Sequence, residues 1–184
     1  MPSNNLRANL IGRIKMEDVN ALCLLCKSDT DCKEKLYQLV SDTDKRVAVN
    51  ALWILTHFGK DEDAWLFMKH DDLVDKALTE TFTPKLRMTL QLLLRQPFDK
   101  DTMRAEFIDF CLEQMVSCAQ PYAVRALCMK LAYKQMHHFP ELLAELKMAI
   151  DVLSNGELSP GLKSARRQVM TLINKKLKDN VYEY

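Results

Sequence analysis

The stretch SDTDKRVAVNALWIL, residues 41–55, decides the fold. Ser and Asp ahead of an apolar run are helix-start residues, because their side-chain oxygens take up the orphan N–H groups of a first turn. Counting from Arg46, apolar residues follow at three and six positions, Val49 and Leu52, which is the spacing of one helix face. The same arrangement returns in KLRMTLQLLL (85–94), AVRALCMKLA (123–132) and SARRQVMTLI (164–173), around Arg87, Arg125 and Arg166. The arginines lie 41, 38 and 41 residues apart, each with its apolar pair: Leu90 and Leu93, Cys128 and Leu131, Val169 and Leu172. A helical unit that recurs about every 40 residues and always turns the same side inward cannot cover its apolar face alone, so successive copies have to stack.

Working outward, turn chemistry interrupts the pattern at SDTD (41–44), FGKD (58–61), TFTP (81–84), QPFDK (96–100), CAQP (118–121) and SNGELSP (154–160). Between these breaks lie further helical stripes, the cleanest being Phe139, Leu142, Leu143, Leu146, Ala149, Ile150 and Leu153, opened by Pro140 in a first turn. First helices are predicted near 29–40, 61–80, 101–117 and 140–153, and second helices near 44–58, 84–96, 120–138 and 159–178, with a helical segment at 5–27 ahead of them. Composition agrees: of 184 residues only 4 are Gly and 6 Pro, too few for a many-stranded sandwich or barrel. None of the breaks is long enough for an interdomain linker, so one domain over 1–184 is expected. No apolar run approaches the roughly 18 to 20 residues of a membrane span. The start MPSNNLRANL lacks the apolar core of a secretion signal, so a cytoplasmic chain without membrane contact is expected.

Turn, helix start, Arg, then apolar residues at three and six resembles the second helix of a HEAT or armadillo-type repeat, most clearly in SDTDKRVAVNALWIL. The resemblance implies an all-α fold, a right-handed α-α superhelix or solenoid of about four HEAT-like helix pairs. Their spans would be about 29–58, 61–96, 101–138 and 140–178, with an N-terminal helical cap at 5–27. It also implies a structural role for Asp42, Arg46, Arg87, Arg125 and Arg166, since in that family the turn Asp and the helix Arg commonly bond between neighbouring repeats. Only Asp42 with Arg46 supplies both; Thr83, Pro121 and Leu162 stand where the other copies would need the acid.

The charge is distributed unevenly between the two helix types. Net charge is +1, yet the four predicted second helices carry 14 Lys and Arg with Asp44 as their single acid, whereas the first helices carry 17 Asp and Glu with 6 basic residues. Helix dipoles favour cations at C-terminal ends, but that preference does not also remove acids from the first turns. If second helices line a concave face, as the resemblance implies, that face is positive. Residues expected on it are Asn50, Gln91, Arg95, Lys130, Lys134, Arg167 and Lys175, with Tyr133 among them as a stacking side chain. The function this predicts is a non-enzymatic binding or scaffold module whose partner is an acidic protein or peptide segment. The alternative is nucleic-acid binding, resembling the HEAT-like DNA alkylation-repair glycosylases. Those enzymes need a groove carboxylate, and here only Asp44 is available, at a turn and away from the basic end.

Catalytic and cofactor signatures are missing. There is no G-x-G-x-x-G, P-loop, G-x-S-x-G or H-E-x-x-H, and no cofactor is called for. Cys23, Cys26 and Cys32 invite a zinc reading, but the pair sits inside the helical run VNALCLLCK with no His close by and no knuckle turn. Plain buried thiols are expected instead. His137 and His138 read as a solvated helix end, and His57 and His70 as surface residues near other ends. The carboxylates at 61–63, at 71–72 and along Glu106, Asp109 and Glu113 read as solvated charge, and Trp53 and Trp65 as core.

Overall fold

A computed structural model describes residues 6–153 and 158–181; the stretch 154–157 of the predicted break at 154–160, and residue 5 of the predicted cap, lie outside the described residues. Every regular element among them is helical. The α-helices are α1 Leu6–Asn9, α2 Met16–Lys27, α3 Thr30–Gln38, α4 Lys45–Thr56, α5 Asp63–Phe67, α6 His70–Thr79, α7 Thr83–Arg95, α8 Ala105–Val116, α9 Tyr122–Met136, α10 Pro140–Val152 and α11 Pro160–Val181. Short 3-10 turns lie at Leu39–Ser41, Lys60–Glu62 and Lys100–Thr102.

The predicted second helices therefore form as α4, α7, α9 and α11, each within a few residues of its expected bounds. Over the span expected for the helical cap lie α1 and α2, separated by a connection at 10–15 with Gly12 at φ +88°. One first-helix span is corrected. The helix expected over 61–80 is interrupted after Phe67, where the backbone tightens and the Lys69 N–H bonds the Leu66 carbonyl at 3.0 Å. No Gly or Pro marks that interruption.

The chain divides into two compact units, Met1–Gln96 and Pro97–Tyr184, and the boundary falls in the QPFDK break. In the first unit α2 packs on α3 and α4, α4 packs on α7, and α7 packs on α6. In the second, α9 packs on α8, α10 and α11, and α10 packs on α11. Second helices are thus direct neighbours inside each unit, α4 with α7 and α9 with α11. Leu36, Leu52, Ile54, Leu55, Leu73, Leu90 and Leu93 fill the first core, and Phe107, Cys111, Met115, Cys128, Leu131, Leu146 and Ile150 the second.

Capping explains the starts. Asp29 accepts the Asp31 and Cys32 N–H groups ahead of α3, and Asp44 accepts the Arg46 N–H at 2.8 Å ahead of α4. Pro84 and Pro140 stand in the first turns of α7 and α10. The apolar stripe holds in the second and third copies; in the first Leu52 is buried but Val49 only half-buried, and in the fourth α11 buries Leu162, Ala165, Val169 and Ile173 and leaves Leu172 at 44% exposure.

The cysteine expectation holds for burial and fails for pairing. Cys23, Cys26 and Cys32 are all buried, but the turn from α2 into α3 brings the Cα atoms of Cys26 and Cys32 to 4.9 Å and their sulfurs are joined as a disulfide. Cys23 remains a thiol whose Sγ–H donates to the His57 carbonyl at 3.3 Å, and burial pushes its pKa up.

Candidate functional site: a cationic groove

Along the observed helices, α4, α7, α9 and α11 together carry 14 Lys and Arg against Asp179 alone, while α3, α5, α6, α8 and α10 carry 12 Asp and Glu against four Lys. The segregation read from sequence therefore persists when counted on real helix bounds. Which of those cations face outward is a separate matter.

In the first unit, two cations of α7 are spent internally. Arg95 donates to the Gly59 carbonyl at 3.0 Å and pairs with Asp63, and Lys85 pairs with Glu80 at 2.9 Å. Four other cations gather around a groove of about 910 Å³ between the 12–16 stretch, the start of α4 and the turn into α7. Arg13, Lys15, Lys45 and Arg46 line it, all exposed, and Asp44 is the one acid among them. The Asp44 carboxylate is occupied as the cap of α4. Arg13, Lys15 and Arg46 have no acidic partner among the described residues, and Lys45 stands over the Phe82 ring at 5.0 Å. The floor is apolar: Ile14, Val49, Trp53, Phe82 and Pro84.

One residue of α4 builds the wall. Asn50, expected on the open face, is buried, and its Nδ2 donates to the Leu10 carbonyl at 2.9 Å and the Gly12 carbonyl at 3.0 Å. A single side-chain amide thereby ties the 10–12 backbone to α4, and Gly12 supplies the left-handed turn that route needs. Trp53 lies three residues further along α4, so it comes round to the groove side; it is half-buried rather than core. Trp65, by contrast, is buried as predicted, with its Nε1–H on Glu34 at 2.7 Å.

In the second unit the predicted residues divide. Arg167 and Lys175 are exposed on α11, and Lys130 is half-buried on α9. Arg167 edges a shallow depression with Gln168, Thr171 and Leu172. Lys134 lies half-buried with its Nζ 5.7 Å from the Phe98 ring, and burial lowers its pKa. Tyr133 is half-buried against His137, at a ring separation of 5.8 Å. His137 and His138 are not a fully solvated end: their rings lie 3.7 Å apart, and His138 Nε2 meets the Phe98 carbonyl at 3.0 Å. Burial lowers the His137 pKa, and the nearby charges of His138, Lys176 and Lys134 add to it, against a hydrogen bond to the Lys134 carbonyl.

The repeat arginines are likewise of two kinds. Arg125 is buried and donates its Nε–H to the Met115 carbonyl at 3.0 Å, and Arg166 reaches the Ile150 carbonyl at 3.5 Å and Asp151 at 3.2 Å. Both tie a second helix to the C-terminal end of its first helix. Asp42 and Arg46, the one pair that supplies both residues, do not bond each other. Asp42 instead accepts Arg7 of α1 at 2.7 and 3.0 Å and the Asp44 N–H at 2.8 Å, which together hold its carboxyl below the ordinary range. Arg87 is half-buried on α7.

Two acid or base positions read as surface are inside. His70 is buried and shares a 2.7 Å hydrogen bond with Gln96, and Glu62 is buried beside Gly59. Glu106, Asp109 and Glu113 are exposed, as their spacing predicts. Among the described residues no three His, Cys, Asp or Glu side chains are placed to hold a metal ion. Nor is any described helix long and apolar enough to cross a membrane.

A family model described as a HEAT repeat domain matches residues 6–173. The chain belongs to the HEAT repeat family. No curated protein and no solved structure matches it. HEAT repeats generally serve as protein-binding scaffolds, and membership agrees with the pairing of α8 with α9 and of α10 with α11 and with the side-by-side second helices of each unit.

Proposed function

We propose that this HEAT repeat protein is a cytoplasmic, non-enzymatic binding module whose basic second helices recognise an anionic segment of a protein partner. The observation that carries this reading is the groove of the first unit, where four cations surround an apolar floor and Arg13, Lys15 and Arg46 lack acidic partners among the described residues. Exposed Arg167 and Lys175, with half-buried Lys130, extend the basic character to α9 and α11 of the second unit. A protein partner is supported over a nucleic acid because a duplex is held by many phosphate contacts along a cationic track, with little use for a floor of Ile14 and Val49.

The test is fluorescence anisotropy of the full chain with labelled polyglutamate and with duplex DNA at stepped salt. Polyglutamate is expected to bind, and Lys15→Glu with Arg46→Glu, or Lys130→Glu with Arg167→Glu, to weaken it while the far-UV helical signal stays intact. Tight DNA binding that collapses with salt, with no polyglutamate binding, overturns the reading in favour of a nucleic acid.

A further inference from the structure

The groove of the first unit has more structure than a charge patch requires, and the excess specifies a ligand. We propose that it takes a short acidic peptide segment anchored by one large apolar side chain. In that arrangement the anchor seats on Ile14, Val49 and Trp53 while flanking carboxylates meet Arg13, Lys15 and Arg46. This inference rests on the anionic-partner reading and narrows it to one place and one kind of sequence.

Three observations converge. The volume, about 910 Å³, is at the upper end of the roughly 300–1,000 Å³ typical of built ligand pockets, so it accommodates a side chain and its flanking backbone. The charge is at the rim and the apolar surface at the floor, the anatomy of a recognition site with a central anchor and a polar surround. Finally, the wall is preorganised: Asn50 holds the Leu10 and Gly12 carbonyls, so the 10–14 backbone need not be ordered at the moment of binding. Trp53 is the natural anchor platform, since a half-buried indole gains contact area when covered and loses little conformational freedom. The equivalent positions of the second unit, counted from Arg125 and Arg166, are Met129 and Met170 for Asn50 and Ala132 and Ile173 for Trp53; none supplies an amide or a ring, so the device is peculiar to the first unit.

The experiment uses the full chain and labelled acidic peptides of equal length and charge whose central residue is Ala, Leu or Phe. The Leu and Phe peptides are expected to bind at least about tenfold more tightly than the Ala peptide. Trp53→Ala should erase that difference by bringing the Leu and Phe peptides down to the level of the Ala peptide, and Trp53→Phe, which keeps a ring, should retain most of it. Lys15→Glu with Arg46→Glu should weaken all three peptides alike. Equal binding of the three peptides, insensitive to Trp53→Ala, overturns the anchor while leaving the anionic-partner reading in place. Absence of binding by every acidic peptide overturns both. Should Trp53→Ala lose its helical signal, iodide quenching of Trp53 fluorescence in a Trp65→Phe background replaces it: protection by the Phe peptide and not by the Ala peptide supports the anchor, and equal quenching contradicts it.

Discussion

Arg46 in the first unit and Arg125 in the second occupy the same position of the repeat, and their side chains have opposite fates. Arg125 is 6% exposed, donates to the Met115 carbonyl and lies 5.8 Å from the Tyr122 ring. Arg46 is exposed at the edge of a groove with no acidic partner among the described residues, and the nearby turn acid Asp42 is taken by Arg7. A guanidinium that closes the end of a neighbouring helix adds nothing to a binding surface, whereas one left exposed and without an acidic partner can meet a ligand. The comparison teaches that a tally of positive charge along second helices overstates the recognition surface: Lys85, Arg95, Arg125 and Arg166 are all spent inside their own units.

The largest expected effect tests whether the second unit is the one built for packing. Phe107 is fully buried and stacks between Phe98 and Phe110, so Phe107→Ala should cost about 3–5 kcal/mol. Hydrogen exchange should show protection lost at residues 97–184. Next, Asn50→Leu removes both hydrogen bonds of the groove wall and leaves two carbonyls to find new partners, at about 1–3 kcal/mol. Chemical denaturation measures that cost, and amides at 10–14 should lose protection.

The arginine pair gives the sharpest contrast. Arg125→Ala leaves the Met115 carbonyl unpaired and should destabilise by about 1–3 kcal/mol, whereas Arg46→Ala should stay within about 0.5 kcal/mol. Equal costs in denaturation would break the comparison.

The smallest effect is the pH response. His137 in the second unit has a pKa below its ordinary value, so the unfolded chain takes up the proton first as pH falls. Its unit therefore loses stability from about pH 6.5 downward until the folded value is passed. The first unit depends on depressed carboxyls instead. Lys69 and Trp65 hold Glu34 low, while at Asp72 burial works against ionisation but is outweighed by hydrogen bonds from Lys76 and Tyr37. Their contribution is present above the ordinary carboxylate range, near pH 4, and is lost only as pH falls through the folded values. Residue-resolved NMR against pH should show the second unit responding first, and His137→Gln should flatten that early response.

Much of this was legible before any coordinates. The period of the arginines places α4, α7, α9 and α11, because the 3.6-residue rhythm and the capping residues act locally. The groove was not legible for the opposite reason. Its wall depends on Asn50 meeting carbonyls 38 and 40 residues away, and no rhythm in the chain encodes such a contact. A signal did exist: Asn50 is a polar residue embedded in the apolar run of KRVAVNALWIL, and a buried amide demands partners. The fate of each cation was equally hidden, since Arg95 reaches Asp63 and Lys134 covers Phe98 through contacts between elements. The interruption between α5 and α6 carries no breaker residue, yet it leaves Lys69 able to reach Glu34 at 2.8 Å and to lie against the rings of Tyr37 and Trp65.

The central claim, that the first unit's unspent cations and apolar floor form the recognition surface, is tested most directly by mapping amide shifts as the acidic Phe peptide is added. The account predicts that perturbations concentrate at Gly12, Lys15, Lys45, Arg46, Val49 and Trp53. Perturbations confined to the acidic faces of α8 and α10, with the groove residues unmoved, would contradict it.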